Sequence, residues 1–524
     1  MDGPGAGRRL AWSTAIFSLA TGLSRILGLV REIVARRYFG VEGRINAFTI
    51  AFQVPNLVRA LVADAALSSA FVPVFSELLQ KGERARAWRV ASTLFWLLLL
   101  GLGGLTALFI LVAPWVMSPF GYVGEEQDLV VGLSRVLFPI VALLGVSGIV
   151  VGILNSYEHF SIPALTPVFW NLAIIAGLVF GVPRAGSEDA ELYVYAGSIL
   201  AGTVLQVLLP VPWLAGRDGR LHLAIDWRDP AVRRTLVLMV PVMLGLGLIN
   251  FNAVIGSFFA ARYIDPNLAP SAIDAAFRIY MLPQGMFSVA VATVLFPSLA
   301  RAAARSDLPA FRRTVGTGLR QIAFLLVPAS AVCAVLAEPI VRLLYERGEF
   351  GPDETPVVAG ALAAFSLGLA FNGMMLMLNR AFFSLQSPWL PTLVALASLV
   401  LNTALNVGFY RLGVWGLPLA TSVSNVAATL ALVLLLRRRS GGLELGETAR
   451  TLALVTVASG LLAGAAFGVW LGLDDVLGRS GGAQFLSLGT ALAAGLATYL
   501  VSCRLLGVRE LEALLSLRRG HRPA

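Results

Sequence analysis

The feature that most constrains this chain is a succession of apolar segments about 20 residues long, separated by short charged loops. Twenty residues of α-helix span about 30 Å, the hydrocarbon thickness of a bilayer, and in lipid every backbone N–H and C=O must be bonded internally. Such segments fold as transmembrane helices. Composition agrees: of 524 residues 57% are hydrophobic and 13% charged, with a mean hydropathy of +0.80. Soluble domains carry about 25% charged residues. Spans are expected over 11–38, 47–78, 90–113, 130–155, 160–182, 191–214 and 235–261, then 271–303, 318–337, 357–384, 390–410, 415–436, 451–472 and 484–506. The fold class is an all-α polytopic membrane protein of about fourteen helices. Prolines interrupt the long second and eighth spans. No short apolar core followed by a small-residue cleavage site stands at the start, so the first helix is expected to be retained.

Charge orients these spans. The formal charge of +10 comes almost wholly from arginine, Lys81 being the single lysine. The basic residues fall between apolar segments, which is a topology signal and no sign of nucleic-acid binding. Arg8 and Arg9, then Lys81, Arg84, Arg86 and Arg89, then Arg217, Arg220, Arg228, Arg233 and Arg234 mark one side. Arg301, Arg305, Arg312, Arg313, Arg437, Arg438 and Arg439, and the tail with Arg509, Arg518, Arg519 and Arg522, continue it. Alternate loops are acidic, with Glu125, Glu126, Asp128, Glu188, Asp189, Glu191, Asp474 and Asp475. Both termini are therefore expected in the cytoplasm. Glu125/Glu126 and Asp474/Asp475 read as solvated loop carboxylates. The two cysteines, Cys333 and Cys503, lie far apart in apolar sequence and read as buried thiols.

The chain also repeats itself. "AFTIAFQVPNLVRALVADAALSSAFVPVFSELL" from Ala47 is echoed by "AAFRIYMLPQGMFSVAVATVLFPSLARA" from Ala275, pairing Pro55 with Pro283 and Pro73 with Pro297. A basic loop and an apolar span follow each copy, ending in "LVAPWV" and "LAEPIV". An offset of about six helices gives both copies one orientation, the pattern of two lobes with a substrate held between them. The expected organisation is an N-lobe over 1–216, a C-lobe over 217–440, and two extra helices with a basic tail over 441–524.

Some charges are not explained by topology. "GLSRILGLVREIVARRYFG", from Gly22 to Gly40, carries Arg25, Arg31, Glu32, Arg36 and Arg37 inside the first span. An arginine at mid-bilayer costs about 2.5–3.5 kcal/mol on insertion scales. Spacings of seven and four place Arg25, Glu32 and Arg36 on one face within about 40°, with Arg31 about 120° away and facing another neighbour. Arg36 and Arg37 read as ordinary residues at the outer end of the span. The second span contributes Arg59 and Asp64, and the eighth contributes Arg278. Arg25, Arg31, Arg59 and Arg278 outnumber Glu32 and Asp64 by four to two. Uncompensated buried charge costs several kcal/mol per ion, so this excess calls for water or a visiting anion. Arginine narrows the anion to one with paired oxygens, phosphate or carboxylate.

Enzymatic signals are absent: there is no phosphate-cradling Walker loop, no helical zinc motif and no nucleophile elbow. His159, His222 and His521 all lie near span ends or loops, so no histidine relay is visible. Pro55 and Pro283, with Pro73 and Pro297, are candidate bending points.

Together these stretches resemble the MurJ (MviN) lipid II flippases of the multidrug/oligosaccharidyl-lipid/polysaccharide exporter superfamily. The resemblance is carried by "SRILGLVRE", "VPNLVR", "SSAFVPVF", "HFSIPALTP", "FRIYMLPQGMFSVAVATVLFPSL", "YERGEF" and "NTALN", spread over nearly the whole chain. It implies a transporter of the bacterial cytoplasmic membrane, not an enzyme, with two six-helix lobes around a cationic cavity. Lipid II, the undecaprenyl-pyrophosphate-linked peptidoglycan precursor, would cross from the inner to the outer leaflet by alternating access. Arg25, Arg31, Arg59 and Arg278 match the family's cavity arginines, and Glu32 its acidic partner. Asp64 falls where many members have glutamate. Departures are Asn46 in "RINAF" where aspartate is common, Ala60 at a frequent arginine, and Ala65, Ser288 and Ala292 at frequent glycines.

The same resemblance allows a sodium or chloride coupling ion but assigns it no ligands, Asn250, Asn252 and Asn379 being only polar residues in suitable second-lobe spans. Cell-wall synthesis and division proteins are possible partners. Two alternatives remain open on the sequence: a flippase for another undecaprenyl-linked saccharide, and a drug or cation antiporter of the same superfamily.

Overall fold

The computed structural model describes residues 4–62, 65–443 and 445–512. Side chains are described throughout these except at 4–18, 62, 65–69, 241, 242, 244–246 and 249. Among the described residues all regular structure is helical, and the chain divides into two compact units, Met1–Pro270 and Ser271–Ala524.

The first unit holds α1 (Pro4–Phe39), α2 (Ile45–Val62), α3 (Ala65–Gln80), α4 (Arg84–Met117), α5 (Glu125–Leu137), α6 (Ile140–Ser156), α7 (Ser161–Ala176), α8 (Glu188–Leu208) and α9 (Pro230–Phe259). The second holds α10 (Ala269–Pro283, whose first two residues fall in the first unit), α11 (Val289–Ala304), α12 (Leu308–Val335), α13 (Ala337–Tyr345) and α14 (Glu354–Ser366). It continues with α15 (Leu369–Ser384), α16 (Trp389–Phe409), α17 (Gly416–Ser440), α18 (Leu445–Leu477) and α19 (Gly481–Leu505).

Local sequence sets the helix ends. Asp229 caps α9 by accepting from the Ala231 N–H, and Pro230 follows at the first helical position, where a missing N–H costs nothing. Asp307 caps α12 in the same way, accepting from Ala310. Ser187 caps α8, whose first turn carries Glu188, Asp189 and Glu191 toward the positive end of the helix dipole. At the other end, α17 finishes with Arg437, Arg438 and Arg439 and stops at Gly441, which adopts φ +69°.

Ten described helical segments are long and apolar enough to cross a membrane, and α14 with α15, bent by 43°, makes an eleventh. The remaining first, second and seventh expected spans fall on α1, on α2 with α3, and on α9. The eighth expected span is α10 and α11 joined by a π-helical turn at Gln284–Ser288, directly after Pro283. Proline lacks the N–H that would continue the ladder, and the wider turn absorbs the mismatch.

In the first unit α1 lies along α7, α7 along α8, and α2 against α5, α6 and α9. Ile50, Phe71, Phe75, Leu94, Leu133 and Phe138 form the buried core between them. Phe109 and Phe138 stack with centroids 3.8 Å apart. Phe71 presses on Gly152 so closely that a Cβ there would sit 2.6 Å from its ring, so α3 and α6 meet only because position 152 has no side chain.

In the second unit α12 is the central helix, packing on α11, α14, α15 and α18. The α18–α19 pair is fastened at both ends, to α12 at one and to α13 at the other. Arg320 pairs with Glu510 at 3.0 Å and Glu447 at 3.3 Å, and the Tyr499 hydroxyl donates to the Phe324 carbonyl at 2.6 Å. At the opposite end Arg342 of α13 pairs with Asp474 at 3.0 Å. Asp474 is thus no solvated topology signal: it lies within the last turn of α18 as the partner of a buried arginine. Both cysteines are free thiols and buried, as their surroundings imply.

Candidate functional site

The charged part of α1 divides into two faces. On one, Glu32 and Arg36 are both buried, and Arg36 Nε and Nη2 donate to a single Glu32 carboxylate oxygen at 3.1 and 2.9 Å. Arg36 Nη1 also donates to the Gly40 carbonyl, where the helix ends. Arg36 is therefore not an ordinary end residue. Its spacing of four from Glu32 puts the two side chains one turn apart, and desolvation tightens the pair. Arg37 is exposed, as expected. Arg25, two turns toward the N-terminus on the Glu32 face, is exposed as well.

Arg31 points elsewhere, to α7. Its Nη1 donates to Asn171 Oδ1 at 3.2 Å, and its guanidinium carbon lies 4.8 Å from the centre of the Trp170 ring. Its Nη2 is 4.0 Å from Glu32 Oε2, a loose electrostatic contact. Nε is buried and has no hydrogen-bond partner among the described residues.

The geometry of α7 explains why that pair stands there. Pro167 lacks an N–H, which frees the Pro163 carbonyl, and the Thr166 hydroxyl donates to it at 2.9 Å. One turn after Pro167, Asn171 Nδ2 donates to the Pro167 carbonyl at 2.9 Å and to Ser24 of α1 at 3.4 Å. The Trp170 indole N–H donates to the buried Thr203 hydroxyl of α8 at 3.1 Å.

The other expected arginines have local partners. Arg59 Nε and Nη2 donate to Asn56 Oδ1 at 3.2 and 2.8 Å, a bond made possible by the three-residue spacing in "PNLVR". Asp64 lies outside the described residues. Arg278, in the second unit, is 42% exposed and pairs with Asp274 one turn back at 3.2 Å. Pro55 is buried inside α2, and Pro283 closes α10 before the π turn.

Sequence reasoning passed over Arg36, Asp274, Asn56, Trp170 and Asn171. The first three carry a signal in helical spacing. Asn171 carries a weaker one, a lone amide in the apolar run "VFWNLAII". With Arg36 included, the first unit sets Arg25, Arg31, Arg36 and Arg59 against Glu32 and Asp64, an excess of two positive charges, while in the second unit Arg278 is matched by Asp274. Asn250 and Asn252 lie on α9 and Asn379 on α15.

The family model described as lipid II flippase MurJ matches residues 35–479. The chain belongs to the MurJ family. Its MurJ relative in Burkholderia cenocepacia, named a lipid II flippase, is 31% identical over 80% of this chain and 82% of its own length. A probable lipid II flippase MurJ of Rhizobium tropici is 29% identical over 96% of both chains. A solved structure of lipid II flippase MurJ in an inward closed conformation matches with a TM-score of 0.78 at 24% identity, covering 94% of this chain and 98% of that one. The MurJ fold is shared along nearly the whole length, in an integral membrane protein.

Asn46, noted above as a departure from what the resemblance implies, has a visible structural role. Asn46 is fully buried, and its Nδ2 donates to the carbonyls of Val41, Gly43 and Asn267. The Gly43 N–H donates to the same Asn267 carbonyl at 2.7 Å. The loop between α1 and α2 is thereby latched to the loop that leads into α10. Ala60 is half-buried on α2, and the Ala65 side chain lies outside the described set.

Proposed function

We propose that the protein is a lipid II flippase, moving the undecaprenyl-pyrophosphate-linked peptidoglycan precursor from the inner to the outer leaflet of the bacterial cytoplasmic membrane. It is a transporter and makes or breaks no covalent bond. The observation that carries this reading, beside family membership, is Arg31: a largely buried guanidinium with a donor that has no partner among the described residues, in a set of arginines that exceeds its acids. Such a group has an anion as its natural complement.

In this reading Arg31, Arg59 and Arg278 clasp the pyrophosphate and Arg25 guides it, while Glu32 and Asp64 steady the arginines between cycles. Two lobes, 1–216 and 217–440, rock between inward- and outward-open states, with Pro55 and Pro283 among the bending points. The appended helices of 441–524 line a groove for the lipid tail, and both termini face the cytoplasm. An inside-negative potential favours outward movement of negative charge by about 2.3 kcal/mol per charge per 100 mV, so a pyrophosphate gains by leaving without ATP. A coupling sodium or chloride ion, and contact with cell-wall synthesis and division proteins, belong to the same proposal.

The test is depletion of a host's own lipid II flippase, with rescue by wild type and by Arg59→Ala or Arg278→Ala. Wild type is expected to rescue and each variant to fail. A well-expressed wild type that does not rescue points instead to another undecaprenyl-linked saccharide or to drug export. Equal rescue by both variants removes the arginine clasp.

A further inference from the structure

We infer that Asn171, backed by Trp170, is a positioning residue that orients Arg31 so that its Nε/Nη2 edge faces a two-oxygen anion; this rests on the flippase reading above. A guanidinium can meet paired oxygens along two edges, Nε with Nη2 or Nη1 with Nη2. Asn171 Oδ1 takes Nη1 at 3.2 Å and so occupies the second edge. The Trp170 ring, 4.8 Å away, covers one face of the group. What is left is the first edge. Its Nε is buried with no partner among the described residues, and its Nη2 has only Glu32 at 4.0 Å, beyond hydrogen-bond length.

The support is itself held. Asn171 Nδ2 donates to Pro167 and Ser24 carbonyls, which leaves Oδ1 as the atom turned toward Arg31. Trp170 is pinned by its indole bond to Thr203. The chemical type of the support matters as much as its position. A carboxylate at 171 would hold Arg31 equally firmly but would cancel its charge and compete with the ligand. A neutral amide fixes the guanidinium and leaves the charge for phosphate oxygens.

The experiment uses the full-length protein in nanodiscs, with undecaprenyl pyrophosphate as the probe and its dissociation constant as the readout. Asn171→Leu is expected to weaken binding about ten-fold, with no further loss when combined with Arg31→Ala. A purely structural role for Asn171 gives additive losses, and that result overturns the inference. Asn171→Asp is expected to weaken binding at least as much as the leucine variant. It carries the test alone if Asn171→Leu does not fold, with wild-type affinity as the refuting outcome. Wild type that fails to bind the probe overturns the flippase reading and this inference together. Wild type that binds, Arg31→Ala that does not, and Asn171→Leu at wild-type affinity overturn this inference only.

Discussion

Arg31 in the first unit and Arg342 in the second each lie over a tryptophan ring, 4.8 Å from Trp170 and 5.8 Å from Trp470. Their polar surroundings differ. Arg342 has three carboxylates, Asp474 at 3.0 Å, Glu338 at 2.8 Å and Glu346 at 4.0 Å; like Arg31 it keeps a buried Nε with no hydrogen-bond partner among the described residues, so the difference lies in the acid around it. Arg31 has one distant acid, which is itself bonded to Arg36, and one neutral amide. Burial alone therefore does not mark a binding arginine. An arginine surrounded by more acid than it can neutralise is a fastening, here of α18 to α13. One supplied with less acid than its own charge has capacity left for a ligand.

The largest test of this contrast is Arg342→Met. Breaking a buried ion cluster by removing its arginine costs about 3–5 kcal/mol, so thermal unfolding in detergent should move strongly downward. Pyrophosphate-lipid affinity at a temperature where the variant is folded should stay at the wild-type level; a loss of affinity without a loss of stability breaks the comparison. Arg31→Ala should do the reverse, lowering affinity about 100-fold, near 3 kcal/mol, while unfolding shifts little. Arg31→Lys keeps the charge without the planar fork and should fall about ten-fold, which separates shape from charge.

Glu32→Gln sharpens the picture from the acidic side. The Arg36 hydrogen bonds lose their charged acceptor, at about 1–2 kcal/mol of stability, while the residual pull on Arg31 Nη2 disappears and affinity should rise about two-fold. The smallest effect belongs to a pair outside the membrane. The Arg86 guanidinium, 3.1 Å from Asp229, holds that carboxyl below its ordinary value. A lowered folded value means stability that is complete above about pH 4 and lost as pH falls through the folded value. Melting should be flat from pH 8 to 5, fall in stronger acid, and fall less in Asp229→Asn.

Much of the molecule was legible because lipid leaves few options: apolar runs of span length had to be helices, and loop charge marked their ends. The arginines of α1 stood out because nothing in a bilayer excuses them. Pairings one turn apart, Glu32 with Arg36 and Asp274 with Arg278, were present in the spacing but were overshadowed by the question of topology. The contacts of Arg31 with Asn171 and of Arg342 with Asp474 join residues 140 and 132 positions apart, which no helical period relates. Asp474 illustrates the limit: an acidic residue between two spans carries the same topology signal whether water or a buried arginine surrounds it.

The Asn46 latch has a consequence for how the protein responds to its medium. A carboxylic acid could donate to those carbonyls only while protonated, so a latch made from one would tighten and slacken with acidity. An amide holds its hydrogens at any physiological pH. Where one face of a membrane is acidified by respiration, the bonds from Asn46 do not titrate, and an acid response of this seam would come from carboxylates such as Asp265, which accepts from the Asn267 N–H at 2.8 Å.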